Sequence, residues 1–375
     1  MRCSPFSTRF NPMRGAAVAI FVGAALAAAE PAQAQPSYNV LNRSLTDKVV
    51  IPAYTQLADA MARLDAETRS LCEDPKPSKL PMTKIAFKMA MDAWQRAQPI
   101  SFGPIVAFGR AARVQFWPDK GGTGTRQVRR ALKARNPELI EKGGLRGRSV
   151  ALQNIGTYER LLYGQGDEIA STARSERAAY ACALAAAIAS FQAELSAQML
   201  DEWLRANGFR DAVKTAANGN HHFAGADEVA TAYLKSLAGT LDAAIRLKLD
   251  RPLGASIDKA RPKRTESWRS ERSLENIRAN LDTAFAFFSV SGGFADVLKA
   301  NGHEAIAAEV RKSFETAQAT AKSIDRPLHA AIAHAEARQQ VVALRDQLTN
   351  LHLLIVGPMA DALGLVVGFN ALDGD

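Results

Sequence analysis

The sequence predicts an all-α protein built as two packed helical bundles. Three observations carry that prediction. Apolar residues recur at three- and four-residue steps over most of the chain, alternating β-branched runs are nearly absent, and Gly- or Pro-marked breaks separate the periodic segments.

The elements follow in order. After Pro81, residues Phe87, Met91, Trp94 and then Ala97 or Gln98 fall on one helix face. From about Arg174 to Arg205, Tyr180, Leu184, Ile188, Phe191, Leu195 and Met199 hold one stripe, and Asn207-Gly208 supplies its stop. Val229, Tyr233, Leu237, Leu241 and Ile245 repeat the pattern, as do Leu281, Phe285 and Phe288, and then Ile306, Val310, Phe314 and Ala317. A last long helix is expected from about Leu328 past Leu353, ahead of Gly357-Pro358.

Four non-helical stretches organise these elements. Pro75 to Pro81 is a Pro-rich connector, and Phe116 to Thr125 is turn-rich. His221 to Ala226 separates two helices, and Arg251 to Trp268 is the longest polar connector. They divide the chain near residues 215–225, giving an N-terminal bundle over 35–220 and a C-terminal bundle over 221–375. Each has enough helices for a four-helix bundle, and the two together form one domain. No internal repeat is visible at the residue level.

The first stretch reads as a targeting segment. Arg2, Arg9 and Arg14 make a positive region, Gly15 to Ala29 is small and apolar, and Ala32-Gln33-Ala34 has the pattern cleaved by signal peptidase. The expectation is residues 1–34 as a signal peptide, cleavage after Ala34, and a periplasmic mature protein. No later stretch offers eighteen consecutive uncharged residues, so no transmembrane segment is expected in the mature chain. The formal charge of +9 over 375 residues is a mild excess. It favours anionic partners or a membrane surface, whereas nucleic acid is not an expected partner of an exported protein.

Two cysteines follow the leader. In an oxidising compartment Cys72 and Cys182 read first as one disulfide, with two buried thiols as the other reading. The six histidines, His221, His222, His303, His329, His334 and His352, include no H-E-x-x-H pair. Lys120 to Thr125 lacks the G-K-[ST] of a phosphate loop and reads as a turn. The run from Arg126 to Arg148 carries eight Lys and Arg against Glu138 and Glu141, a solvated face or one that meets an acidic partner.

Several landmarks then occur in a recognisable order: Asn39-Val40-Leu41-Asn42, Asp92-Ala93-Trp94, Phe102-Gly103-Pro104 and Arg113-x-x-Phe116-Trp117-Pro118-Asp119. Arg126-Gln127, Glu159-Arg160-Leu161-Leu162-Tyr163-Gly164, Leu363-Gly364-Leu365 and the ending Gly368 to Asp375 complete the set. In this the chain resembles the imelysin-like family, also catalogued as M75 peptidases. The resemblance implies an envelope protein of two helical bundles, associated with iron acquisition. It also implies a G-x-H-x-x-E signature whose His and Glu are metal ligands.

Here the matching stretch is Asn154-Ile155-Gly156-Thr157-Tyr158-Glu159. The Glu is kept, but the signature Gly is Asn154 and the His is Gly156. A His and a Glu three apart share a helix face and can hold one metal together, whereas glycine offers no donor. Glu159 sits at the edge of the apolar stripe of Ile155, Tyr158 and Leu162, so if buried it must be paired, coordinated or protonated. Arg160 points about 100° away on a helix, so Arg110, Arg113 and Asp119 are the expected neighbours. Two readings stay open, a polar ligand pocket between helices and a structural buried ion pair.

The function expected is a periplasmic, non-enzymatic binding protein linked to iron or another divalent metal. An M75-type metallopeptidase with its metal on Glu159 is the alternative. A third reading is an envelope scaffold that binds a protein partner through the basic face at Arg129 and Arg130.

Overall fold

The computed structural model describes residues 38–368, all within one compact unit. The leader and its expected cleavage site lie outside the described residues, as does the closing stretch from Phe369. Among the described residues the regular structure is entirely helical.

The first bundle is built from α1 (Ile51–Glu73), α2 (Leu80–Ala97), α3 (Ile155–Ala170) and α4 (Glu176–Leu204). Its α1 packs against both α2 and α4, and α3 closes the set against α4 and α2. The second comprises α5 (Ala226–Asp242), α6 (Ser273–Ser289), α7 (Glu304–Ser323) and α8 (Ala335–Leu354). There α6 packs on α5 and α7, and α8 packs on α7 and α5. The face of α2 left over by the first bundle meets α6, and this contact is the seam between the bundles.

The core is the one that periodicity selects. Phe87, Met91 and Trp94 of α2, and Tyr180, Leu184, Ile188, Leu195 and Met199 of α4, are buried. So are Val229, Tyr233, Leu237 and Leu241 of α5. Phe191, Phe285 and Ile306 pack only at the core margin. Fully burying side chains of this size contributes about 1.5–3 kcal/mol each. Ser175 caps α4 by accepting the Ala178 N–H, and Asn207, with a left-handed φ of 58°, turns the chain beyond Leu204. Two stretches, Glu176–Asn218 and Ser273–Ala300, are apolar and long enough to cross a membrane. Both contain bundle helices, and about half of each apolar window is buried.

Cys72 and Cys182 are joined by a disulfide, with their Cα atoms 5.6 Å apart. It ties the end of α1 to the start of α4 and closes a loop across a separation of 110 residues. In the chain-entropy model a loop of that length stabilises by about 4–5 kcal/mol.

The structure departs from expectation in two elements. The last long helix does not start at Leu328: a short turn of helix, Leu328–Ala331, is followed by a break, and α8 begins after His334. Its α-helical part ends at Leu354, ahead of Gly357-Pro358 as expected, but the chain does not break there. The chain passes through a π-helical segment, Ile355–Met359, which accommodates the donor that Pro358 lacks, and helix resumes over Ala360–Leu363. The polar connector Arg251 to Trp268 is exposed over most of its middle but not throughout. It tightens into turns at Ile257–Lys259 and Pro262–Arg264, then drives Thr265, Glu266 and Ser267 into the interior.

Candidate functional site

The segment that carries the degraded signature starts α3. Asn154 is its N-cap, the side-chain oxygen accepting the N–H groups of Gly156 (2.9 Å) and Thr157 (3.2 Å). A polar capping residue thus stands where the signature has glycine. Gly156 lies in the first turn, and a Cβ there would sit 3.0 Å from the Asn154 side-chain oxygen and 4.0 Å from a guanidinium nitrogen of Arg160. With no side chain at 156, the space beside Glu159 is open.

Glu159 is 5% exposed and forms part of the wall of that space. Its Oε1 accepts two hydrogen bonds from Ser270, one from the backbone N–H (2.9 Å) and one from the hydroxyl (2.7 Å). Burial pushes its carboxyl above the ordinary carboxylate range, against the opposing pull of the Ser270 bonds and of Arg269 and Arg160. Hydrogen bonds from Ser270, rather than a close ion pair, accommodate this carboxyl.

The expected neighbours separate into two groups. Asp119 is at the site: its Oδ1 accepts the Thr123 N–H (2.7 Å), and its Oδ2 accepts both the Gly124 N–H (3.0 Å) and the Arg160 guanidinium (3.1 Å). Gly124 lets this pair close, because a Cβ there would lie 2.8 Å from an Arg160 guanidinium nitrogen. Arg110 and Arg113, by contrast, do not reach Glu159. Arg110 makes a bidentate pair with Glu202 of α4, both contacts at 2.6 Å. Arg113 donates to the Gln153 side chain (3.0 Å) and the Phe108 carbonyl (2.9 Å). The cause is the backbone at Phe108 and Gly109, both in the left-handed region, which turns the short helix Arg110–Val114 toward α4.

What faces Glu159 instead is the polar connector from the second half. The result is a cleft of about 520 Å³ between the start of α3, the Phe116 to Thr125 turn and residues 251–269. Its walls carry six cations, Lys120, Arg160, Arg251, Lys263, Arg264 and Arg269, against two carboxyls, Asp119 and Glu159. Arg269 stacks on the Trp268 ring at 4.4 Å, and Lys263 lies over the same ring at 5.8 Å. Burial and the Arg160 charge hold Arg269 below the usual arginine value, and burial with Arg264 and Arg261 does the same to Arg251. Sequence reasoning missed these connector residues, although the run of Arg and Lys between 251 and 269 was itself visible.

The family's metal is poorly matched by these donors. Gly156 offers none, one Glu159 oxygen is taken by Ser270, and Asp119 is committed to Arg160 and two backbone N–H groups. Among the described residues no group of three His, Cys, Asp or Glu side chains could hold a metal ion. His221 and His222 are exposed and meet edge-on, and His222 lies against Phe209. The basic run is also elsewhere on the surface: Arg129, Arg130, Lys133 and Arg135 lie exposed along helix Thr123–Ala134 or just past its end.

A double helical bundle with its cleft at the Glu159 end of α3 defines the class to which this molecule belongs. The chain is a member of the imelysin family of M75 peptidases, whose sequence profile it matches over residues 50–355. It is 20% identical over 300 residues to iron-regulated protein A of Synechococcus elongatus, a match that covers 78% of this chain and 77% of that one. The fold is shared with an imelysin-like protein from Psychrobacter arcticum: TM-score 0.73, 19% identity, 90% of this chain and all of that one. It is also shared with a presumed iron-regulated protein A precursor from Parabacteroides distasonis: TM-score 0.72, 12% identity, 86% and 96% of the two chains.

Proposed function

We propose that this protein is an exported, non-catalytic binding protein linked to iron or another metal, and that the cleft beside Glu159 is its ligand site. The iron link rests on family membership and on relatives named as iron-regulated proteins. Export to the periplasm is supported by the leader sequence, by the Cys72–Cys182 disulfide, which needs an oxidising compartment, and by one relative's description as a precursor.

The observation that carries the reading is the pairing of an open cleft with an incomplete catalytic set. Metallopeptidase chemistry requires a metal with an open coordination position and a group to handle the proton of its bound water. At this cleft the His position is Gly156, and the surviving Glu159 is held by Ser270 in a cationic surround. The cleft remains large enough for a small ligand.

The test is native mass spectrometry of the mature protein isolated from periplasmic extract, paired with a protein-cleavage assay in the presence of Fe(II), Fe(III), Cu(II) and Zn(II). A bound small-ligand mass that is lost in Glu159→Ala, with no cleavage, is the expected result. Metal-dependent cleavage abolished by Glu159→Ala would overturn the reading in favour of the peptidase. The exposed arginines of helix Thr123–Ala134 support a second surface role as well. Salt-sensitive capture of an acidic envelope protein, weakened by Arg129→Glu with Arg130→Glu, would establish it.

A further inference from the structure

We infer that the cleft takes a small polyanion, a ligand with two or more carboxylate or phosphate groups, and that any metal enters it as an anionic chelate rather than as a bare cation. This rests on the reading of the cleft as the ligand site and specifies its chemistry.

The argument is one of charge left over. Of the two carboxyls on the walls, Asp119 is engaged by Arg160 and by the first turn of helix Thr123–Ala134. Glu159 is buried and commits an oxygen to two hydrogen bonds from Ser270. Arg251, Lys263, Arg264 and Arg269 form no ion pair with any carboxylate among the described residues; Trp268 alone backs two of them. Burial lowers Arg251 and Arg269, and the charges of Arg264 and Arg261 on the first and of Arg160 on the second act in the same direction. Such mutual repulsion is unfavourable in the free protein, and a bound polyanion relieves it. Arg160 adds a directional element, since its Nε is buried without a hydrogen-bond partner.

Geometry supports the same ligand. Arg251 and Arg269 are half-buried, whereas Lys263 and Arg264 stand exposed at the rim. An anion therefore meets the rim cations first and the deeper guanidinium groups next. Arginine forks bind carboxylate and phosphate oxygens in pairs, each charge-assisted contact being roughly twice as strong as a neutral one. A cleft lined by one sign of charge also concentrates its counter-ion, and the effect weakens with salt. A bare divalent cation finds the opposite field there.

Isothermal titration of the mature chain at low salt tests the inference. The probes are citrate, ferric citrate and pyrophosphate, with acetate as the monovalent control. The expected result is near-stoichiometric binding of at least one polyanion, and at least tenfold weaker binding of acetate. In Arg264→Glu with Lys263→Glu, two exposed rim positions that leave the fold intact, polyanion affinity should fall at least tenfold. It should be unchanged in Arg129→Ala with Arg130→Ala, two exposed positions that do not line the cleft. Citrate or pyrophosphate binding alone identifies the source of the oxyanion, and ferric citrate binding without citrate binding identifies the chelate. Polyanion binding that is absent, or indifferent to the rim variants, overturns the inference. If Zn(II) or Fe(II) alone then binds in a Glu159-dependent way, the binding-protein reading survives without it; if neither metal nor polyanion binds, both fall.

Discussion

Two charged clusters lie on either side of one short segment, and they differ in whether their charges are answered. On the inner side, the Lys248 ammonium is buried in the seam between α2 and α6. It bonds Gln95 (2.7 Å), Gln98 (3.0 Å) and Asn280, and forms an ion pair with Glu266 (2.9 Å). Glu266 in turn accepts from Asn276 (3.0 Å) and Gln95 (3.3 Å). On the outer side, three residues further on, Arg269 faces the cleft beside Arg251, Lys263 and Arg264, none of which forms an ion pair with a carboxylate among the described residues. The inner cluster pairs its cation with a carboxylate and surrounds both with amides, as a buried ion pair must to survive desolvation. The outer cluster is held open to solvent with charge in excess. Residue type does not separate structural charges from functional ones here; completeness of pairing does.

Four substitutions sharpen that contrast, from the largest expected effect to the smallest. Lys248→Met leaves Glu266 charged and buried without its cation, and should cost about 3–5 kcal/mol in a denaturant melt. A loss below about 1 kcal/mol would mean that the seam network is not the structural element described. Ser270→Ala removes the hydroxyl bond to Glu159 and should cost about 1–2 kcal/mol by the same assay.

Glu159→Gln tests the environment of the cleft through pH. Because burial raises the folded-state pKa of Glu159, the folded chain holds that proton more tightly than the unfolded chain does. The stability this group contributes is full below the ordinary carboxylate value of 4.5, and it is lost as pH rises through the raised folded value. Gln does not titrate, so the variant should gain on the wild type as pH rises from about 4.5, read as the difference in melting temperature across a pH series. A difference that stays flat with pH would show that folding does not raise the Glu159 pKa. Arg264→Ala, last, should change stability by no more than about 0.5 kcal/mol, since the side chain is exposed and makes no ion pair. A cost above about 1 kcal/mol would place Arg264 with the structural charges and erase the distinction.

Much of the fold was legible because helical period is a local signal. The stripes of α2, α4 and α5 could be read residue by residue, and the same residues fill the core. The break before α8 and the π-helical passage through Pro358 were not legible. Each depends on how the chain end packs back onto the second bundle, not on propensity alone. The site was half legible. Glu159 and Asp119 could be placed at one cleft from the motif and its neighbourhood, and the missing His was plain at Gly156. Arg110 and Arg113 were misassigned because two left-handed residues redirect their short helix toward Glu202. Ser270 could not have been assigned to Glu159 at all, since 111 residues separate them.

By itself, then, the sequence determined the all-helical class, the core stripes and the absence of a His donor at position 156 beside Glu159, while the bond between Cys72 and Cys182 was one of two readings until the fold joined them. The first three are properties of residue type and spacing, which survive whatever the chain does at long range. The tertiary structure decided which charges meet. It folds a polar connector inward, buries Glu266 against Lys248, and turns Arg269 outward to the cleft. Charge pairing is set by where distant segments come to rest, and an electrostatic site assembled across the chain has no signature in any one stretch of it.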